Sequence, residues 1–222
     1  MKRRLPALAA LCALTVTGCT QAAPTRDGTP APAGSTTGAS TPSASASSAP
    51  SLPSGYAWHP VEDAGLRFAG PAEWVAIDPE ELAAAGDDAM MKDLADRMGV
   101  SVSQFRAVMT NADLILTAPP KDGFADSINA IVVPLTDLPT EAQLTAQLGS
   151  LVDGDVTYTA TETPAGRAVM ARYAIAAGNL AVQGSSIFVK GPEGVLNVTV
   201  TTRDAARTEQ VSAVVLDSLS ET

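Results

Sequence analysis

The fold class this sequence predicts is a mainly antiparallel β-sheet covered by amphipathic helices, a mixed α+β arrangement. Four β-rich stretches, 155–163, 167–176, 180–190 and 194–202, follow one another almost without interruption. Short connections between consecutive strands make antiparallel neighbours. In the last stretch Leu196, Val198 and Val200 alternate with Asn197, Thr199 and Thr201. A period of two puts one side against a core and leaves the other nearer water. Other segments carry apolar residues every three or four positions behind capping residues, as helices that bury one face do.

The elements follow in order along the chain. Leu66 and Phe68 alternate with Arg67 and predict a half-buried strand that ends at Gly70-Pro71. Asp78-Pro79-Glu80-Glu81 supplies a cap, Pro at the first helical position and an early acid, so a helix is expected over 79–98. Gly99 breaks it, and Ser101-Val102-Ser103-Gln104 opens a second helix over 102–110 with Phe105, Val108 and Met109. Two apolar runs, 113–118 and 127–134, flank the turn residues Pro119-Pro120-Lys121-Asp122-Gly123. Thr140 caps a helix with Leu144, Leu148 and Leu151 on one face. The four strands follow, and Gly191-Pro192-Glu193-Gly194 turns the last pair into a hairpin. A closing helix from about Ala205 carries the stripe Val211, Val214, Val215 and Leu219.

Two phrases, LRFAGPAEW ahead of a helix and the ending VLNVTVTTRDAARTEQVSAVVLDSL, resemble actinobacterial lipoproteins of the LpqN type. Those belong to the PsbP-like superfamily. The resemblance covers nearly all of residues 56–222 and implies an α/β/α sandwich. It brings no shared catalytic residues to carry over onto this chain.

The chain begins MKRR and runs apolar from Leu5 to Val16. A basic start, an apolar stretch of about a dozen residues and small residues near the cut make a secretory leader. The stretch is shorter than the roughly 20 residues of a transmembrane span. Val16-Thr17-Gly18-Cys19 resembles the bacterial lipobox, in which the Cys thiol receives a diacylglycerol group and the leader is cut before it. Residues 1–18 are therefore expected to be a signal peptide cleaved between Gly18 and Cys19, with Cys19 the lipidated first residue of the mature protein. Cys12, behind bulky Leu11, does not fit the cleavage position. Two acyl chains, at about 0.8 kcal/mol per buried CH₂, make such attachment long-lived.

From Thr20 to Ser54, 31 of 35 residues are Ser, Thr, Pro, Ala or Gly. Such a segment cannot bury enough apolar surface to offset its ordering entropy. Residues 19–54 are thus expected to be a disordered tether, spanning about 30–35 Å on average if flexible. Gly55 to Thr222 leaves 168 residues for one globular domain.

Loss of Lys2, Arg3 and Arg4 with the leader takes the formal net charge from −10 to −13. An acidic surface repels phosphate backbones, so nucleic acid is not an expected partner. No cysteine follows Cys19, which excludes disulfides, thiolate zinc sites and thiol nucleophiles from the domain.

His59 is the only histidine and so the only candidate base for a Ser-His-Asp relay. No G-x-S-x-G elbow accompanies it, and a surface or packing role is expected. Glu80, Glu81, Asp87, Asp88, Asp93 and Asp96 read as caps and a solvated helix face better than as glycosidase acids. Met90, Met91, Met98 and Met109 could line an adaptable groove but read better as core filling, and Trp74 as a packing anchor. Asn197-Val198-Thr199 fits a glycosylation sequon inside an expected strand. No catalytic residue, metal ligand or cofactor is indicated.

The expected function is a lipid-anchored protein on the extracytoplasmic face of the cell membrane, whose domain binds an envelope protein or wall component without catalysis. A carrier of a lipid or other apolar ligand is the alternative. An envelope hydrolase comes third.

Overall fold

The computed structural model describes residues 52–79, 91–92, 95, 101–149, 152, 154–177 and 180–222. The leader, Gly18, Cys19 and the tether up to residue 51 lie outside the described residues, as do most of the helix expected over 79–98 and the acids Glu80, Glu81, Asp87, Asp88, Asp93 and Asp96. Of that helix, Pro79, Met91, Lys92 and Ala95 are described, all with helical backbone.

Ten strands and three full helices are described: β1 (Tyr56–Val61), β2 (Leu66–Pro71), β3 (Val75–Ile77), α1 (Val102–Met109), β4 (Leu114–Thr117), β5 (Ser127–Val133), α2 (Glu141–Leu148), β6 (Thr157–Thr163), β7 (Gly166–Ala177), β8 (Leu180–Lys190), β9 (Val195–Thr202), α3 (Ala205–Ser218) and β10 (Ser220–Glu221). Among the described residues every strand pairing is antiparallel. The fold is a sheet-dominated α+β arrangement, as the back-to-back strand pattern predicts.

The strands form two sheets. A seven-stranded sheet runs β3-β4-β5-β9-β8-β7-β6, and a three-stranded sheet runs β1-β2-β10. The strand expected around Leu66 therefore does not join the main sheet. It pairs with Tyr56–Val61, a segment whose Pro60 and aromatic residues give no alternation, and with the two-residue β10. Gly65 makes the tight link between β1 and β2, closing a 3-10 turn at φ +63, a left-handed conformation that disfavours a side chain.

The main sheet is covered on both faces. On one, Leu116, Ile128, Met170, Ile187, Leu196, Val198 and Val200 form a cluster with Leu66 and Phe68 of β2 and with Val211, Val215 and Leu219 of the α3 segment. On the other, Leu144 and Leu148 of α2 pack on Val133, Val169, Phe188 and Val195. Beside them Phe105 and Met109 of α1 pack on Ile77, Ile115, Met91 and Ala95. The chain order explains this cover. β5 and β6 lie in the middle and at the far edge of the sheet, so the segment carrying α2 must cross from one to the other, and it does so over the second face.

That cover corrects one expectation. Asn197 and Thr199 do not face water: they are 3% and 6% exposed, because helices pack on their side of β9 too. The expected helix starts hold where they are described. Thr140 and Gln143 form a reciprocal capping box, Gln143 N donating to Thr140 Oγ1 at 3.3 Å and Thr140 N donating to Gln143 Oε1 at 2.8 Å. Asp204 caps α3, its Oδ1 accepting from Arg207 N at 2.7 Å.

Candidate functional site

His59 is packed, not poised. Its ring centroid lies 6.1 Å from that of Phe68, tilted by 39°. A Cβ built on Gly70 would come 3.1 Å from His59 Cδ2, so the imidazole lies across that glycine. Burial pushes its pKa below the ordinary value, and its Nε2 is buried without a hydrogen-bond partner. A neutral ring against Phe68 is the packing role expected of it. Trp74 is 5% exposed, with the Arg207 guanidinium 5.8 Å from its ring centroid, and it anchors the stretch after β2. Met91 and Met109 are buried among Phe105, Ala112 and Ile115, whereas Met90 and Met98 lie outside the described residues.

The second face of the main sheet holds an internal polar ladder. Tyr173 OH and Ser186 Oγ lie 3.2 Å apart, Ser186 Oγ and Thr199 Oγ1 3.2 Å apart, and Thr199 Oγ1 donates to Asn197 Oδ1 at 2.9 Å. The register explains the line-up: Ser186 sits opposite Thr199, and Tyr173 opposite Gly184. Gly184 is required here, since a Cβ would collide with the Tyr173 ring. Asn197 Nδ2 and, on β5, Asn129 Oδ1 stay buried without partners. The sequon at Asn197 is thus inside the sheet.

Among the described residues, clefts open at opposite ends of this scaffold's hairpins. The smaller, about 350 Å³, lies between the β4–β5 turn and the start of α3. There Arg203 N donates to Asp126 Oδ1 at 3.3 Å, and Arg203 Nη1 stands 3.9 Å from Asp122 Oδ2. Burial raises the Asp126 carboxyl pKa, partly offset by the Arg203 backbone bond and the Arg207 and Arg203 charges. These contacts tie the β4–β5 hairpin to the β9–α3 junction, which is a structural task.

The larger cleft, about 540 Å³, is bounded by the lead-in to α2 and by the ends of β6, β7 and β8. Leu138, Pro139, Tyr158 and Val169 supply apolar wall, and Asp137, Glu141, Arg167 and Lys190 supply charge. The sheet register builds the charged rim. Glu162 pairs with Arg167 and Lys190 with Val195, and one step beyond the Ala168–Val189 pair Arg167 falls opposite Lys190. Lys190 Nζ stands 3.6 Å from Asp137 Oδ1. A half-open cleft with apolar walls and a few convergent charges is the ordinary form of a small-molecule site.

None of these rim residues was singled out in the sequence, because their convergence depends on strand register. Among the described residues, no group of three or more His, Cys, Asp or Glu side chains could hold a metal ion, and no helix is long and apolar enough to cross a membrane. A scan of the chain against protein-family models finds no match, nor does a search of curated proteins.

Proposed function

We propose that the chain is a lipid-anchored cell-envelope protein of the LpqN type, with a PsbP-like α/β/α sandwich that acts as a non-catalytic binding module on the extracytoplasmic face of the membrane. The lipobox Val16-Thr17-Gly18-Cys19 supports the anchor. Cover on both faces of a central sheet supports the sandwich. The observation that carries the binding role is the open cleft of about 540 Å³ beside α2, whose walls offer both apolar surface and charge. Its partner is an envelope protein or a wall component, and the acidic chain disfavours nucleic acid. A carrier of an apolar ligand would hold it between sheet and Met-rich helices. Met91 and Met109 instead fill a cluster with Phe105 and Ile115, which favours the binding module.

Membrane fractionation and native mass spectrometry of the full chain test this reading. The wild-type protein should sediment with membranes, and Cys19→Ser should move to the soluble fraction. A variant that stays with membranes refutes the anchor. A co-purified lipid mass retained by the soluble variant refutes the binding module in favour of the carrier.

A further inference from the structure

We propose that the cleft beside α2 binds the oxyanion of a small organic acid, a carboxylate or phosphate ester with an apolar or aromatic body, and that Arg167 is the residue that grips it. This rests on the binding-module reading and gives that module a ligand class.

The argument begins with two cations on adjacent strands. Arg167 and Lys190 stand one step beyond Ala168–Val189, the last pair of the β7–β8 ladder, at the rim of the cleft. Like charges directly opposite destabilise a sheet, so such a pair calls for an anion between them. The protein supplies only part of it: Glu162, directly opposite Arg167 on β6, makes no ion pair with it among the described residues. Asp137 lies 3.6 Å from Lys190, but the two side chains are 87% and 61% exposed, a geometry that salt and side-chain entropy weaken. The Arg167 side chain, exposed at the rim, makes no hydrogen bond or ion pair among the described residues. A guanidinium presents its donors as a planar fork that matches a carboxylate or phosphate two bonds at a time.

The wall explains why the ligand has an apolar part. Tyr158 and Val169 stand on the same side of the sheet as Arg167, and Leu138 and Pro139 close the cleft from the lead-in to α2. A ring or short hydrocarbon can lie against these side chains while its charged end meets the two cations. The start of α2 also borders the cleft and adds the positive end of its backbone dipole. Its capping box already engages Gln143 N, so this end contributes field, not that hydrogen bond. Asp137 and Glu141 set the limit on the ligand. With two acids in the lining, a singly charged or compact oxyanion fits and an extended polyanion is repelled.

Isothermal titration of the full chain in detergent micelles at low salt tests the site, with phenyl phosphate, phenylacetate and uncharged benzyl alcohol as probes. Phenyl phosphate and phenylacetate should bind, and benzyl alcohol should not. Arg167→Gln should weaken both anions about tenfold or more, since charge-assisted hydrogen bonds are lost. Arg167→Lys should recover only part, because it restores charge but not the fork. Glu141→Gln should tighten binding, a change of opposite sign that general damage to the fold would not produce. The variants should keep the wild-type melting curve, Arg167 being exposed. Equal affinity in Arg167→Gln, or no binding of either anion to the wild-type chain, overturns the proposal. The native mass measurement is independent of it. A lipid-free chain that binds neither anion sinks this site and leaves the binding module standing. A lipid-loaded chain that still binds phenyl phosphate through Arg167 sinks the module and leaves the site.

Discussion

His59 has a buried, unpartnered Nε2 and a ring lying against Phe68, so any proton it takes up must be held in a half-buried, apolar setting. Burial lowers its pKa below the ordinary 6.5. Between that ordinary value and the depressed one of the folded state, the unfolded chain binds a proton that the folded chain does not. The stabilising difference is therefore complete above the ordinary value and is lost as the pH falls through this window. The melting temperature should drop as the pH falls from about 7 through that ordinary value, and His59→Leu should flatten the slope. An equal slope in the variant would assign the loss to carboxylates. The packing role of His59 was legible in the sequence, because no nucleophile motif stood near it. Arg167 and Lys190 were not, although both strands carrying them were predicted. Reading them as neighbours needs the register, and Gly178-Asn179 between the two strands is the signal that could have fixed it. A two-residue Gly-Asn connection implies the Ala177–Leu180 pair, and counting outward from that pair brings Arg167 to Lys190.

At the scale of elements, α2 is eight residues long and too short to persist on its own. Two things hold it: Leu144 and Leu148 buried on the sheet, and the capping box at its start. Thr140→Ala removes the hydroxyl that accepts from Gln143 N and should cost about 1 kcal/mol in urea unfolding. Thr140→Ser should restore most of that. If Thr140→Ala unfolds at the wild-type midpoint, the tertiary contacts of Leu144 and Leu148 alone hold the helix. Such caps are visible in sequence because they depend on residues three apart. The long strands β7, β8 and β9 are visible for a similar reason, each being long enough for a β-rich run to stand out. β1, β3 and β10 are not. β3 has three residues, with Val75 60% exposed, and β10 has two, which pair with Leu66 and Arg67. Their strand character comes from the partner, and no local pattern records it.

Across the whole molecule the two sheets share one core. Leu66 and Phe68 of the small sheet, Leu196, Val198 and Val200 of the large one, and Val211, Val215 and Leu219 of the α3 segment belong to a single buried cluster. The end of α3 is also pinned to the small sheet. Ala69 N donates to Ser218 Oγ at 2.8 Å, Arg67 Nε donates to Ser220 Oγ at 3.1 Å, and β10 follows directly as a strand on β2. Opening the small sheet alone would uncover the face of the large sheet beneath it, so the two should unfold together. Leu219, fully buried where α3 meets β10, is the residue that tests this coupling. Leu219→Ala leaves a cavity between the sheets and should cost about 2–5 kcal/mol. The tryptophans report on one side of that junction: Trp58 lies in β1, under the Arg67 guanidinium at 4.5 Å, and Trp74 lies just past β2. Far-UV circular dichroism reports on the helices and the large sheet together. In the wild-type chain and in Leu219→Ala, tryptophan fluorescence and circular dichroism should therefore give the same urea midpoint, lower in the variant. A fluorescence transition that precedes the loss of sheet signal would mean that the small sheet opens by itself, and that the shared cluster does not couple the two.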